Sequence, residues 1–405
     1  MDERIKGMTG RVNQSLIWAF SLCGLAAIFS STLSKTPVLP LYASHLGATD
    51  AQVGWIAAAS TLPGIFMSYF AGAMSDKYGW RRLLFISLFI FATAPFLYLL
   101  ADSSIELAGV RFYHGFATAI LGPVAMAAIV SVSGERKGEM LSLYSSSTMV
   151  GRALAPFVGG VLLGMWGFKG LYLFCAISGT AALLLGIGFW SRLDERVLGE
   201  TPGKASESNS LVKNLWCLLC HKELLMLGLL EAVVFFTFGA FEVIFPLYAY
   251  ELGITVWQIG IIMGLQLAGV IFFKPVFGRL SDRVGRLPVI LAGLVLCALA
   301  VGCISFWQTL IGLGILNVGF GIGFALVTAS TRPLATEIVQ NHQLGASLGV
   351  LSTLMDIGQM AGPPVVGLVA AFFGYSAGFL LLTIVLAVIT LICFVRLFLN
   401  SHLKT

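Results

Sequence analysis

Gly72-Ala-Met-Ser-Asp76-Lys-Tyr-Gly79 recurs 206 residues further on as Gly278-Arg-Leu-Ser-Asp282-Arg-Val-Gly285. At the same offset, Pro40-Leu-Tyr-Ala-Ser-His-Leu-Gly47 recurs as Pro246-Leu-Tyr-Ala-Tyr-Glu-Leu-Gly253. A third pair, Gly151-x3-Ala155-Pro156-x2-Gly159 and Gly358-x3-Gly362-Pro363, lies one residue out of that phase. A single match of this kind is within chance. Three in the same order mean that the chain holds two copies of one unit, running in the same direction.

Composition says what each unit is made of. Of the 405 residues, 58% are apolar and 11% charged, where a soluble domain carries about 25% charged residues. Runs such as Ser15 to Ser34, Ala51 to Met74 and Ser376 to Val395 have the length of about 20 apolar residues that crosses a bilayer as a helix. The ten-residue alternation of a membrane barrel is absent. Helices are expected over 15–42, 51–74, 83–101, 105–132, 139–165 and 170–191, then over 222–250, 257–280, 288–306, 308–338, 346–372 and 376–398. The fold class is therefore an all-α membrane protein of twelve transmembrane helices in two parallel six-helix repeats. The expected division is 1–192, a polar linker 193–220 with a Ser/Asn-rich stretch, and 221–405.

The net charge of +5 invites a nucleic-acid reading, which its distribution removes. Eighteen of the 24 basic residues fall in clusters on one side of the predicted spans, including Lys77, Arg81 and Arg82 and, in the second copy, Arg279, Arg283 and Arg286. The loops on the other side hold only Lys169. By the positive-inside rule both termini and the linker are cytoplasmic, and a multi-pass cell membrane protein, of a bacterial inner membrane, is expected. The seven cysteines are scattered, mostly inside apolar runs, and read as small hydrophobes. Cys217-Leu-Leu-Cys220-His221 matches a haem-attachment pattern only formally, at the apolar start of a helix. Metal and cofactor are both expected to be none. No phosphate-binding loop or Ser-His-Asp arrangement is present, which sets aside an ATP-driven pump and an enzyme.

The loop Gly72-x3-Asp76-Lys77-x-Gly79-x-Arg81-Arg82 and its copy Gly278-x3-Asp282-Arg283-x-Gly285-Arg286 resemble the signature of the major facilitator superfamily. The resemblance implies a conformational latch built from Gly72, Asp76, Gly79, Arg81, Arg82, Asp282, Gly285 and Arg286. Trp80 departs from the pattern, which usually has Arg there. Arg111-x3-Gly115-x3-Ala119 resembles the family motif whose arginine is linked to proton transfer. Gly151, Pro156, Gly159 and Gly160 resemble the exporter-type motif of the fifth helix, with Ala155 in place of Gly. Small residues there would let the fifth helix approach the eighth or the second closely. Thr36-Pro37-Val38-Leu39-Pro40 is similar to the first helix of the twelve-helix drug/proton antiporter branch. The resemblance spans nearly the whole chain.

Charged residues inside the predicted spans complete the picture, because each costs about 2.5–3.5 kcal/mol at a helix centre on insertion scales. They are Lys35, Arg111, Arg152, Glu231, Glu242, Lys274, Arg332 and Asp356. Glu242, Arg111 and Asp356 are assigned to proton coupling, with Glu242 the best fit for a titrating carboxylate and His114, one residue off the row of Arg111, a further titratable group. Lys35, Arg152, Glu231, Phe238, Phe241, Lys274 and Arg332 are assigned to the substrate path. A plain reading stands beside each. Glu231 and Arg332 lie near helix ends, Arg152 and Asp356 could pair structurally, and Phe238 and Phe241 could be ordinary core. The expected function is proton-coupled efflux of small organic compounds by a monomer, with protons, solute and lipid as its partners. The rival is uptake or export of one anionic metabolite, suggested by five intramembrane cations against three carboxylates.

Overall fold

The computed structural model describes residues 2–132, 137–190, 222–338 and 344–402. The linker 193–220 and the Cys217–His221 pattern lie outside them, as does the side chain of Asp76. In chain order the first half holds α1 (Asp2–Leu33), α2 (Val38–His45), α3 (Asp50–Ala59), α4 (Thr61–Tyr78), α5 (Trp80–Leu100), α6 (Ser104–Val132) and α7 (Lys137–Trp190). The second half holds α8 (Lys222–Glu251), α9 (Val256–Val284), α10 (Arg286–Gly302), α11 (Leu310–Ile338), α12 (Leu344–Phe373) and α13 (Tyr375–His402).

Among the described residues, nine helical stretches are long and apolar enough to cross a bilayer. One of them runs through Gly167, where φ 65° and ψ −171° break α7 into two spans. The shorter apolar helix α10 and the pair α3–α4, interrupted only at Ser60, supply the rest of the twelve. The structure refines the expected spans in two places. The helix expected over 15–42 stops at Leu33 and resumes as α2, because Pro37 has no N–H to continue the ladder. The amides of Lys35 and Thr36 instead turn back onto the Thr32 carbonyl at 3.0 and 2.9 Å. The helix expected over 51–74 is the α3–α4 pair.

Outward-facing side chains fit lipid rather than water. Phe272 and Phe306 stand 76% and 84% exposed, and apolar residues of this size and exposure recur along α6, α7, α12 and α13. Inside, the chain forms two compact units, Met1–Leu39 with Ala59–Ala205, and Pro40–Ala58 with Ser206–Thr405. The core of the first is built from α1, α5, α6 and α7 around Phe20, Leu88, Phe91, Ile120 and Tyr144. That of the second gathers Phe241, Phe245, Ile290, Phe320, Phe379 and Leu382 from α8, α10, α11 and α13. The α2–α3 hairpin packs into the second unit. There Tyr375 donates its hydroxyl proton to Asp50 Oδ1 at 2.8 Å, and Gly54 leaves room for the Pro363 backbone.

The repeat is written into the turns. Every positive-φ residue among those described is a glycine, and the six form three pairs: Gly47 and Gly253, Gly79 and Gly285, Gly167 and Gly374. A Cβ disfavours this conformation, so each copy fixes its three turns in the same way. After the first pair, Thr49 and Thr255 open α3 and α9 identically. Each threonine amide donates to a glutamine three residues on, Gln52 at 2.9 Å and Gln258 at 3.1 Å, the capping-box arrangement. The third sequence motif is also a shared packing device. A Cβ on Gly151 would stand 2.8 Å from the Leu25 carbonyl oxygen of α1, and one on Gly358 or Gly362 would run into the carbonyls of Ala232 and Phe236 on α8. This differs from the second or eighth helix expected from the sequence, because a small-residue stripe does not name its partner. Within the first unit, Gly151 and Gly159 meet the first helix and the residues after it, Leu25, Phe29, Leu33 and Val38.

Candidate functional site

In the first unit a buried polar cluster forms where α4, α5, α6 and α7 meet. Arg111 is 3% exposed. Its guanidinium donates to Tyr98 Oη at 3.1 Å and to Ser60 Oγ at 2.7 Å, while Nε has no acceptor. No carboxylate among the described residues pairs with it. The Tyr98 hydroxyl also lies 3.2 Å from His114 Nδ1. Arginine can only donate, so Tyr98 accepts from Arg111, and the direction of its bond with Nδ1 follows the imidazole tautomer. The other ring nitrogen, Nε2, is buried and has no hydrogen-bond partner. The ring of His114 stands edge-on to Phe91 at 5.5 Å, and Tyr98 stacks on Tyr172 at 4.8 Å. The helix spacing explains the grouping: positions 111, 114 and 115 share one face of α6, and Gly115 admits the Ser60 backbone against it.

In the second unit, α8 and α11 present matching stripes. Glu231, Phe235, Phe238 and Glu242 fall within about 60° of arc on α8, with the two carboxylates about 16 Å apart along the axis. On α11, Thr331, Phe324 and Phe320 share a face in the same way. The stripes meet rung by rung. The Thr331 hydroxyl donates to Glu231 Oε1 at 2.5 Å. Phe235 meets Phe324 edge-on at 5.1 Å. Phe238 stacks on Phe324 at 4.4 Å. Phe241, off the stripe, packs 4.6 Å from Phe320. Glu242 is buried at the far end of the stripe. Near the other end, Arg332 and Lys274 lie within electrostatic range of Glu231, and Arg332 also acts on Asp356.

The residues singled out from sequence thus divide. Glu231, Glu242 and Phe238 lie on one ladder, and Lys274, Arg332 and Asp356 gather around its Glu231 end. Phe241 is fully buried core, the plain reading of that residue. Arg152 has an exposed side chain on α7, and Lys35 is half-buried in the turn between α1 and α2. Of the latch residues, Gly79 and Gly285 make the turns, and Arg286 ties three segments together. It forms an ion pair with Asp282, donates to Ser281 Oγ at 2.7 Å and pairs with Glu337 at the end of α11 at 3.0 Å. Trp80 packs against Phe20 of α1 at 5.9 Å and carries the Arg81 guanidinium over its ring at 5.7 Å, so an aromatic contact occupies the position where the resemblance leads one to expect arginine. Sequence reasoning missed the Tyr98–His114 pair and the Thr331 partner of Glu231. Both join residues on different helices, and nothing in local spacing announces them.

A two-unit membrane bundle with turns repeated at this offset and charges held inside it defines a class of secondary transporters. The sequence matches the profile of the Major Facilitator Superfamily over residues 20–257 and 227–404. The chain belongs to that superfamily: it is a multi-pass membrane transporter of small molecules and not an enzyme. It is 26% identical to the multidrug resistance protein MdtG of Enterobacter lignolyticus, covering 86% of this chain and 84% of that protein. To the quinolone resistance protein NorA of Staphylococcus aureus it is 25% identical, over 82% and 84%. An uncharacterised MFS-type transporter of Methanocaldococcus jannaschii is 22% identical over 89% and 93%. Among solved structures, the nucleoside transporter NupG superposes with a TM-score of 0.80 at 14% identity, covering 94% of this chain and 98% of that one. A bacterial homologue of the human lysosomal transporter Spinster, inward-facing and unoccupied, gives 0.82 at 17%, covering 96% and 98%. These likenesses in structure establish the fold.

Proposed function

We propose that the protein exports small organic compounds in exchange for protons, with Glu242 as the principal proton carrier and Arg111 and Asp356 as its auxiliaries. The observation that carries this is Glu242 itself, a carboxylate 8% exposed at the end of an aromatic stripe on α8. A neutral acid is tolerated in a dry site, whereas the anion needs a cation or water, so proton and solute can alternate in occupying it. The resistance proteins among the relatives support export and a drug-like cargo. The glycine-flanked turns at Asp76 and Asp282 are assigned to the latch that alternates access, with Arg286 bridging Asp282 and Glu337 in the second copy. Lys35, Arg152, Glu231, Phe238, Lys274 and Arg332 remain assigned to the substrate path, and the cytoplasmic placement of both termini follows the basic clusters.

The energetics suffice. One charge moved through 100 mV is worth about 2.3 kcal/mol, a concentration ratio of about fifty per proton. Purified protein in proteoliposomes tests the assignment. Glu242→Gln is expected to abolish uphill transport driven by an imposed pH gradient while retaining solute binding and exchange. Wild-type uphill rates in that variant would remove Glu242 from the coupling. A second reading, transport of an anionic metabolite, is favoured by one observation, the buried Arg111 without a carboxylate partner. Gradient-dependent transport of an anionic solute, lost in Arg111→Gln, would select it.

A further inference from the structure

Two buried amides in the second unit have no place in the coupling scheme. Gln266 of α9 is 1% exposed, and Asn317 of α11 is wholly buried. Asn317 Nδ2 donates to the Leu313 carbonyl at 2.9 Å, one turn back on its own helix. That bond fixes which way the amide points and leaves Oδ1, which has no hydrogen-bond partner. Gln266 Nε2 has none either. The two share one locality. Gly321 lies one turn beyond Asn317 on the same face of α11 and is pressed against Gln266. A Cβ there would stand 2.5 Å from the Gln266 carbonyl oxygen and 3.2 Å from its Cγ. Polar side chains that join membrane helices do so by bonding across the interface, and this pair does not. A donor and an acceptor thus stand open where unpaired polar groups are rare and costly.

We propose that Gln266 and Asn317 bind an uncharged, planar solute that carries a hydrogen-bond acceptor beside a donor, such as the edge of a lactam. The solute's carbonyl accepts from Gln266 Nε2, and its N–H donates to Asn317 Oδ1. The surroundings select a flat apolar body behind that edge. Phe320 and Phe324 lie on the face of α11 that carries Asn317 and Gly321, and Phe238 of α8 stacks on them at 6.3 and 4.4 Å. Water alone is a poor occupant, since a buried water makes about three hydrogen bonds and the phenylalanines add none. The amides themselves offer no counter-charge, so a neutral solute fits them better than an ion. Both are covered in this structure, and the solute enters as Phe238 and Phe324 move off this face. The proposal names a substrate class for the export reading and rests on it, but its test measures binding alone.

Carbostyril and coumarin are uncharged and share one bicyclic shape, differing in a ring N–H that coumarin replaces with oxygen. Equilibrium binding of each to the purified full-length protein in nanodiscs is the measurement, with partition into protein-free nanodiscs subtracted. Wild type is expected to bind carbostyril more tightly by about tenfold or more, the factor that 1.4 kcal/mol confers. Asn317→Leu is expected to erase that preference, because it removes the acceptor of the N–H. Gln266→Met is expected to weaken both ligands by a similar factor, because both carry the carbonyl. The melting temperature of Gln266→Met is expected to hold or rise, since the amide it removes bonds to nothing. A fall would assign Gln266 to packing. That fall, equal binding of the two ligands by wild type, a preference that survives in folded Asn317→Leu, or carbostyril binding unchanged in Gln266→Met would each overturn the proposal. Carbostyril preference without gradient-driven transport would instead leave the binding site standing and remove the export reading.

Discussion

Arg111, Tyr98 and His114 form a chain in which one hydroxyl serves two buried nitrogen groups. Removing that hydroxyl leaves a guanidinium hydrogen without its acceptor and the imidazole Nδ1 without its partner, and a buried polar group left unpaired costs about 1–3 kcal/mol. Tyr98→Phe is therefore expected to lower the unfolding temperature of the detergent-solubilised protein and to depress transport. Thr93→Val, which removes a part-buried hydroxyl bonded to its own helix and to Tyr113, is expected to do much less. Equal effects would mean that the Tyr98 hydroxyl carries no special load. At this scale the sequence was only partly legible. An arginine or glutamate inside an apolar run is conspicuous because of what it costs in lipid. Its partners are not, since Tyr98 and Thr331 are residue types that occur freely in such helices, and their roles come from contacts between helices.

At the scale of the element, the glycines carry two different messages that a sequence does not separate. Gly349 and Gly358 lie on the same helix, α12. A Cβ on Gly349 would meet nothing within 4 Å, whereas one on Gly358 would run into the Ala232 backbone of α8. Gly349→Ala is expected to be neutral or slightly stabilising, in line with the helix preference for alanine of up to about 1 kcal/mol. Gly358→Ala is expected to cost about 1–3 kcal/mol through overpacking, read as a lower melting temperature for the second variant alone. Loss of stability in neither would show that α8 and α12 are free to separate at this point. Spacing located the Gly-x3-small motifs and their duplication correctly. The partner in the first unit, α1, came only with the structure, because a small-residue stripe says that some helix comes close without saying which. The opposite holds for the turns. Gly79 and Gly285 were readable in advance because a tight turn between two apolar runs demands a residue without a side chain. The capping boxes at Thr49 and Thr255 are equally visible in the sequence, in the Thr-x-x-Gln spacing that follows each Pro-Leu-Tyr-Ala repeat.

At the scale of the whole molecule, the fold was legible almost entirely, because lipid imposes helices on any spanning segment and the duplicated landmarks at Asp76 and Asp282 set the two copies in parallel. What could not be read was how residues on different helices meet: the ladder from Glu231 to Glu242 has its α8 half in the local sequence and its α11 half eighty to a hundred residues away. The central claim, that outward solute movement is tied to inward proton movement, belongs to this scale and not to any one side chain. Its direct test uses wild-type protein in proteoliposomes with no imposed pH gradient, an outward solute gradient and a pH-sensitive dye sealed inside. A drug-like cation such as tetraphenylphosphonium should acidify the lumen as it leaves, with an ionophore clamping the membrane potential, and protein-free liposomes should show no such signal. Solute efflux through the protein with no change in luminal pH would contradict proton exchange and leave a facilitator in its place.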